Sequence, residues 1–174
     1  MVLVILIVHT YGKNLPAYPP AGTRRAFCTT CIDMRFVETE FSFLDEEFGT
    51  NSYDIFALPG PSYALANPAD EGVEVPPFQL PFATAWQRGL SVSQQVNSTT
   101  QIVLVDHENC GYYNFYSHSG PAYLGADYAT KKHIQFTQMS ITLNYMRDTL
   151  TPQYPTVYYG YWIGLNGIAE FVPS

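Results

Sequence analysis

QIVLVDHENCG, residues 101–111, runs from an apolar stretch of strong β propensity straight into a cluster of carboxylate, imidazole and thiol side chains. Ile102 to Val105 reads as an apolar strand. Asp106, His107 and Cys110 then fall at the carboxyl end of that strand, which is the end where ligands bind in open α/β sheets. Upstream, Ala26 to Cys31 reads as another short strand with a comparable ending, CIDMR at residues 31–35.

The segments around these strands alternate in period. Val37, Phe41, Leu44 and Phe48 recur at helical spacing, and Gly49 supplies a stop. Asp54 to Leu58 is the next strand. Phe82, Ala85, Gly89, Val92 and Val96 predict a helix ending at Asn97, and Phe136, Met139, Leu143, Met146 and Leu150 predict a clearly amphipathic one with Pro152 just beyond it. Val157 to Ile163 and Ile168 to Val172 flank Gly164-Leu165-Asn166-Gly167, whose Asn-Gly pair suits the positive φ angles of a tight hairpin. The expected fold class is α/β, a mostly parallel central sheet flanked by helices, with a C-terminal antiparallel hairpin strand pair.

Composition narrows the function classes. The 174 residues are 47% apolar and 16% aromatic, enough for one domain over residues 1–174 with a substantial core. Residues 1–23 read as a strand, MVLVILIV, followed by a proline-containing arm. Residues 59–81 hold six prolines and read as an insertion crossing the surface. A formal charge of -7 argues against nucleic acid as a partner. The opening apolar run is far shorter than the about 20 residues a bilayer span needs, so no membrane association is expected. It also lacks the basic flank and cleavage site of a secretory signal. A cytoplasmic location follows, with an organellar or exported origin left open. Asn97-Ser98-Thr99 fits a glycosylation sequon and carries little weight beside free thiols.

Three cysteines are too few for a disulfide framework. Cys31, His107 and Cys110 together offer two thiolates and one imidazole, the donors zinc prefers, and two adjacent strands would bring them into one cleft. Three protein ligands leave a fourth position open, which marks a catalytic rather than a structural site. Asp33 and Arg35 lie two and four residues past the first of these donors. The guanidinium would keep Asp33 ionised, so that the carboxylate either orients a metal-bound hydroxide or swings onto the metal and closes it. Gly111 would allow close backbone approach or a helix entry near the metal. Cys28 reads as a buried apolar residue, and His9, His118 and His133 as surface or core histidines, with His118 in YSHSG the one placed to move protons. Tyr112, Tyr113, Phe115 and Tyr116 read as core or dimer packing before pocket lining.

The pair C-x-D-x-R and H-x-x-C-G, here Cys31-Ile32-Asp33-Met34-Arg35 and His107-Glu108-Asn109-Cys110-Gly111, resembles the signature of the β-class carbonic anhydrases. YDIFALPG and VYYGYWIGLNGIAEFV resemble that family's second-strand and final-strand regions, so the likeness runs from about Ala26 to the C-terminus. It departs at Met34, where the family commonly has serine, and at Asp106, where it usually has glycine. The resemblance implies a zinc enzyme that reversibly hydrates carbon dioxide to bicarbonate, working as a homodimer or a multiple of dimers. It implies Cys31, His107 and Cys110 as zinc ligands and Asp33 with Arg35 as catalytic residues. Two other functions stay open: hydrolysis of carbonyl sulfide or carbon disulfide on the same scaffold, and a silent zinc-binding or sensing module.

Overall fold

A computed structural model describes residues 25–66, 82–115, 120–149 and 156–173 of the chain. The strands are β1 (Ala26–Cys31), β2 (Tyr53–Leu58), β3 (Gln101–His107), β4 (Val157–Ile163) and β5 (Ala169–Val172). The helices are α1 (Val37–Phe48), α2 (Pro61–Ala66), α3 (Phe82–Asn97), α4 (Gly111–Phe115), α5 (Gly120–Leu124) and α6 (Tyr128–Thr149). Among the described residues one five-stranded sheet runs β2-β1-β3-β4-β5, parallel except for the antiparallel β4–β5 pair. This is the expected α/β class. The opening strand MVLVILIV and its arm lie outside the described residues.

The order of strands sets where a site can form. From β1 the chain moves outward to β2, then crosses back over β1 to β3, so the carboxyl ends of β1 and β3 border a topological switch point. Thr29 is level with Leu104. Cys31, two residues beyond Thr29, and His107, three beyond Leu104, therefore leave the sheet side by side. Strand alternation sends Phe27, Ile102, Leu104 and Trp162 to one face, under α2, α3 and α6. Ala26, Cys28, Val103, Val105 and Ile163 point to the other, under α1. Cys28 is fully buried in the second cluster, as its place in the strand leads one to expect.

Five local readings change. In α3 the apolar stripe is not the buried one: Val92 and Val96 are 60% and 55% exposed, and Trp86, Leu90, Ser93, Gln94 and Asn97 face inward. Hydrogen bonds explain the polar members, because Ser93 Oγ and Asn97 Nδ2 each donate to Asp54 Oδ2 at 2.8 Å. Asn97 thus spends its amide inside the protein, and the sequon presents no free side chain. In α1, Phe41 is exposed and Glu40 takes the inward position with Leu44. The long C-terminal helix starts well before Phe136, at Tyr128, because Asp127 Oδ1 caps the Thr130 amide at 2.8 Å.

The proline-rich stretch does not begin as a surface crossing. Pro61, suited to a first helical position, opens α2, and Pro61 through Leu65 are buried against the sheet and α6. Residues 67–81 lie outside the described part. In the β4–β5 connection only Gly167 has a positive φ, 75°, while Asn166 turns its side chain to accept from the Ile168 amide at 3.1 Å. The turn is thus wider than the tight form the Asn-Gly pair suggested. Among the described residues no helix is long and apolar enough to cross a membrane.

Candidate metal centre

Cys31, His107 and Cys110 meet at the carboxyl ends of β1 and β3. One ligand atom from each lies within 4.8 Å of the others, and all three residues are buried. The two sulfurs stand 3.8 Å apart. Two sulfurs each about 2.3 Å from one tetrahedral ion would stand about 3.8 Å apart, so the cluster already has the spacing zinc requires. The imidazole is equally prepared. His107 Nδ1 is 2.9 Å from the carbonyl of Glu108 and donates to it, which leaves Nε2 as the acceptor. Among the described residues, buried Nε2 has no hydrogen-bond partner. An orphaned imidazole nitrogen between two thiols fits a metal ion, and these three residues could hold one.

The thiols share a proton between them. A hydrogen bond with Cys110 is the largest influence on Cys31 and pulls it well below the usual thiol range; the same bond, with burial, pushes Cys110 up. A divalent cation held by both sulfurs would take them as thiolates and release their protons. The backbone amide of Gly60 also favours the Cys31 thiolate. Gly60 sits at φ 53°, and a Cβ there would fall 2.7 Å from Tyr112 Cβ, so only glycine lets the loop approach. Gly111, by contrast, has open space where its Cβ would be, and its role is simply to begin α4.

Asp33 and Arg35 close the open side. Arg35 Nε donates to both carboxylate oxygens, at 2.9 and 3.1 Å, and the Arg35 amide donates to Oδ1 at 3.1 Å. These bonds hold the Asp33 carboxyl down at about 2. The same guanidinium reaches the Asn109 carbonyl at 3.3 Å and ties the two motif loops together. Asn109 adopts φ 55°, a left-handed turn that asparagine tolerates and that lets the chain present His107 and Cys110 three residues apart. Asp33 Oδ2 lies 3.9 Å from His107 Nε2, so the carboxylate borders the space the three donors share while staying bound to Arg35.

No family model matches the chain. An uncharacterised protein of Rickettsia conorii is 23% identical over 171 residues, which cover 95% of this chain and 80% of that protein. Among solved structures, a carbonic anhydrase from Glaciozyma antarctica superposes with a TM-score of 0.57 at 14% identity, over 91% of this chain and 87% of that one. The β-carbonic anhydrase isoform I of Trichomonas vaginalis gives 0.56 at 14% identity, with coverage of 91% and 87%. The fold is that of a β-carbonic anhydrase.

Within this β-carbonic anhydrase fold, the two departures from the motif have plain settings. Met34 is 87% exposed and leaves the Asp33–Arg35 pair untouched. Asp106 is fully buried, and burial is the main reason its carboxyl is raised to about 6. It accepts from Ser62 Oγ and from Tyr113 OH, so Tyr113 belongs to a polar cluster as well as to the aromatic packing with Tyr63 and Tyr123. Phe36, Glu40, Gly60, Ser62 and Asn109 all border the site without having been singled out by the motifs. Only Gly60, inside Pro59-Gly60-Pro61, carried a readable signal, that of a turn. His133 is exposed on α6. His9, Tyr116 and His118 lie outside the described residues.

Proposed function

We propose that the chain is a zinc-dependent carbonic anhydrase that interconverts carbon dioxide and bicarbonate. The observation that carries this reading is the convergence of Cys31 Sγ, a His107 ring nitrogen and Cys110 Sγ within 4.8 Å on a β-carbonic anhydrase fold. Those three residues would hold the ion. Zinc, when bound there, activates a water molecule as a nucleophile near neutral pH. Asp33 would be the acceptor that orients such a water toward carbon dioxide, and Arg35 keeps the carboxylate ionised and fixed. His107 keeps Nε2 available because Nδ1 is committed to the Glu108 carbonyl. Phe36 lies flat on the imidazole and excludes water from that face.

A second copy of the chain is the expected partner. Ile32 and Met34 flank Asp33 and are 57% and 87% exposed, apolar side chains that pairing would cover. Replacing Cys110 with serine tests the reading. The expected outcome is joint loss of zinc and of carbon dioxide hydration; full hydration by the zinc-free variant would contradict it. Turnover of carbonyl sulfide in place of carbon dioxide by the zinc-loaded protein would move the assignment to the hydrolase alternative.

A further inference from the structure

Four fully buried polar side chains form a chain of hydrogen bonds behind the cysteine and histidine cluster: Thr142 on α6, Ser62 on α2, Asp106 on β3 and Tyr113 on α4. Thr142 Oγ1 donates to the Ser62 carbonyl at 2.5 Å. Ser62 Oγ donates to Asp106 Oδ2, lies 2.5 Å from Tyr113 OH, and shares that carboxylate oxygen with the tyrosine hydroxyl, which donates at 3.0 Å. Asp106 Oδ1 has no partner among the described residues. Burying a carboxylate with one oxygen unsatisfied is costly, and an apolar side chain would fill the same space more stably.

The places this network joins explain what it achieves. Asp106 precedes His107 on β3 and points to the opposite face. Ser62 follows two residues after Gly60, whose amide serves the Cys31 sulfur. Tyr113 follows three residues after Cys110. The carboxylate therefore ties the segment behind Cys31 and the helix behind Cys110 to the strand that carries His107. We infer that Asp106, Ser62 and Tyr113 are positioning residues that set the three metal donors at their mutual spacing. This rests on the metal-centre reading above. None of the three touches a sulfur or the imidazole as a ligand; each acts through the backbone segment it anchors.

The test compares zinc affinity, by competition with a chromophoric chelator, in the wild-type protein and in Asp106→Asn, Ser62→Ala and Tyr113→Phe. The visible spectrum of the cobalt(II)-substituted protein reports donor geometry in the same set. Ser93→Ala is the control, since Ser93 is buried and bonded to Asp54 and Thr99 away from the cluster. The three variants are expected to bind zinc about 10- to 100-fold more weakly and to change the cobalt band intensities. Ser93→Ala is expected to lower the melting temperature and leave both readouts alone. Tyr113→Phe removes one hydroxyl and nothing else, so it keeps the test intact if the Asp106 variant fails to fold. Variants that melt lower yet keep wild-type zinc affinity and an unchanged cobalt spectrum would overturn the inference alone. Wild-type protein that takes up no zinc would overturn the metal-centre reading and this inference together.

Discussion

Phe36 lies stacked on His107, with ring centroids 4.1 Å apart and planes inclined by 26°. The phenyl ring is itself buried, 3% exposed, at the start of α1. It covers one imidazole face and, with the Nδ1 bond to Glu108, leaves the ring a single orientation. Phe36→Ala should destabilise the protein by about 3 kcal/mol or more, read from urea unfolding. Phe36→Leu should recover part of that loss because it refills the space. An alanine variant as stable as wild type would show that the ring packs on nothing of consequence.

Asp33 meets Arg35 through both carboxylate oxygens. Asp33→Asn keeps the shape and removes the charge, so zinc content should be unchanged while kcat/KM for carbon dioxide hydration falls by about 100-fold. Metal analysis and a hydration assay on one preparation separate the two quantities. Loss of zinc in this variant would instead make Asp33 a metal-holding residue.

Glu40 is 3% exposed on α1, and burial raises its carboxyl from 4.5 to about 8. An acid with a raised folded-state value keeps its proton in the native protein after the unfolded chain has lost it. In the zinc-free protein its contribution to stability is therefore complete below pH 4.5 and is lost as the pH rises towards about 8. The slope approaches about 1.4 kcal/mol per pH unit across that window. Glu40→Gln should flatten the stability profile between those limits, measured by urea unfolding at several pH values. A slope unchanged in Glu40→Gln would assign the dependence to another group.

Gly60 combines a left-handed φ with no room for a Cβ against Tyr112. Gly60→Ala should cost about 1 to 3 kcal/mol and also weaken zinc binding, because the loop that serves Cys31 must move. Gly111→Ala, with open space at its Cβ, should be nearly neutral by the same measurements. Equal effects at the two positions would contradict the packing described around Gly60.

Much of the fold was legible because the decisive signals are local. The apolar strands Ala26–Cys31 and Ile102–Val105, the stop at Gly49 and the Met139-Leu143-Met146 stripe each report a period that packing then respects. The three donors were legible for the same reason, each lying at or just past a strand end. What stayed hidden depends on pairing across the chain. Val92 and Val96 looked like a core face because hydrophobicity does not reveal that Asp54 waits to bond Ser93 and Asn97. Helix α2 was obscured by the prolines around it, although Pro61 suits the first turn of a helix. Ser62 and Asp106 are separated by 44 residues, and neither shows in sequence that the other is its partner.

The central claim is catalysis by the Cys31, His107 and Cys110 centre, and stopped-flow hydration of carbon dioxide by the zinc-loaded protein addresses it most directly. Between about pH 7 and pH 9 the rate should rise above buffer in proportion to bound zinc and disappear when the metal is removed. A protein that holds one zinc per chain at these residues and gives only the buffer rate across that range would contradict the claim, and would leave a metal-binding module on a β-carbonic anhydrase fold.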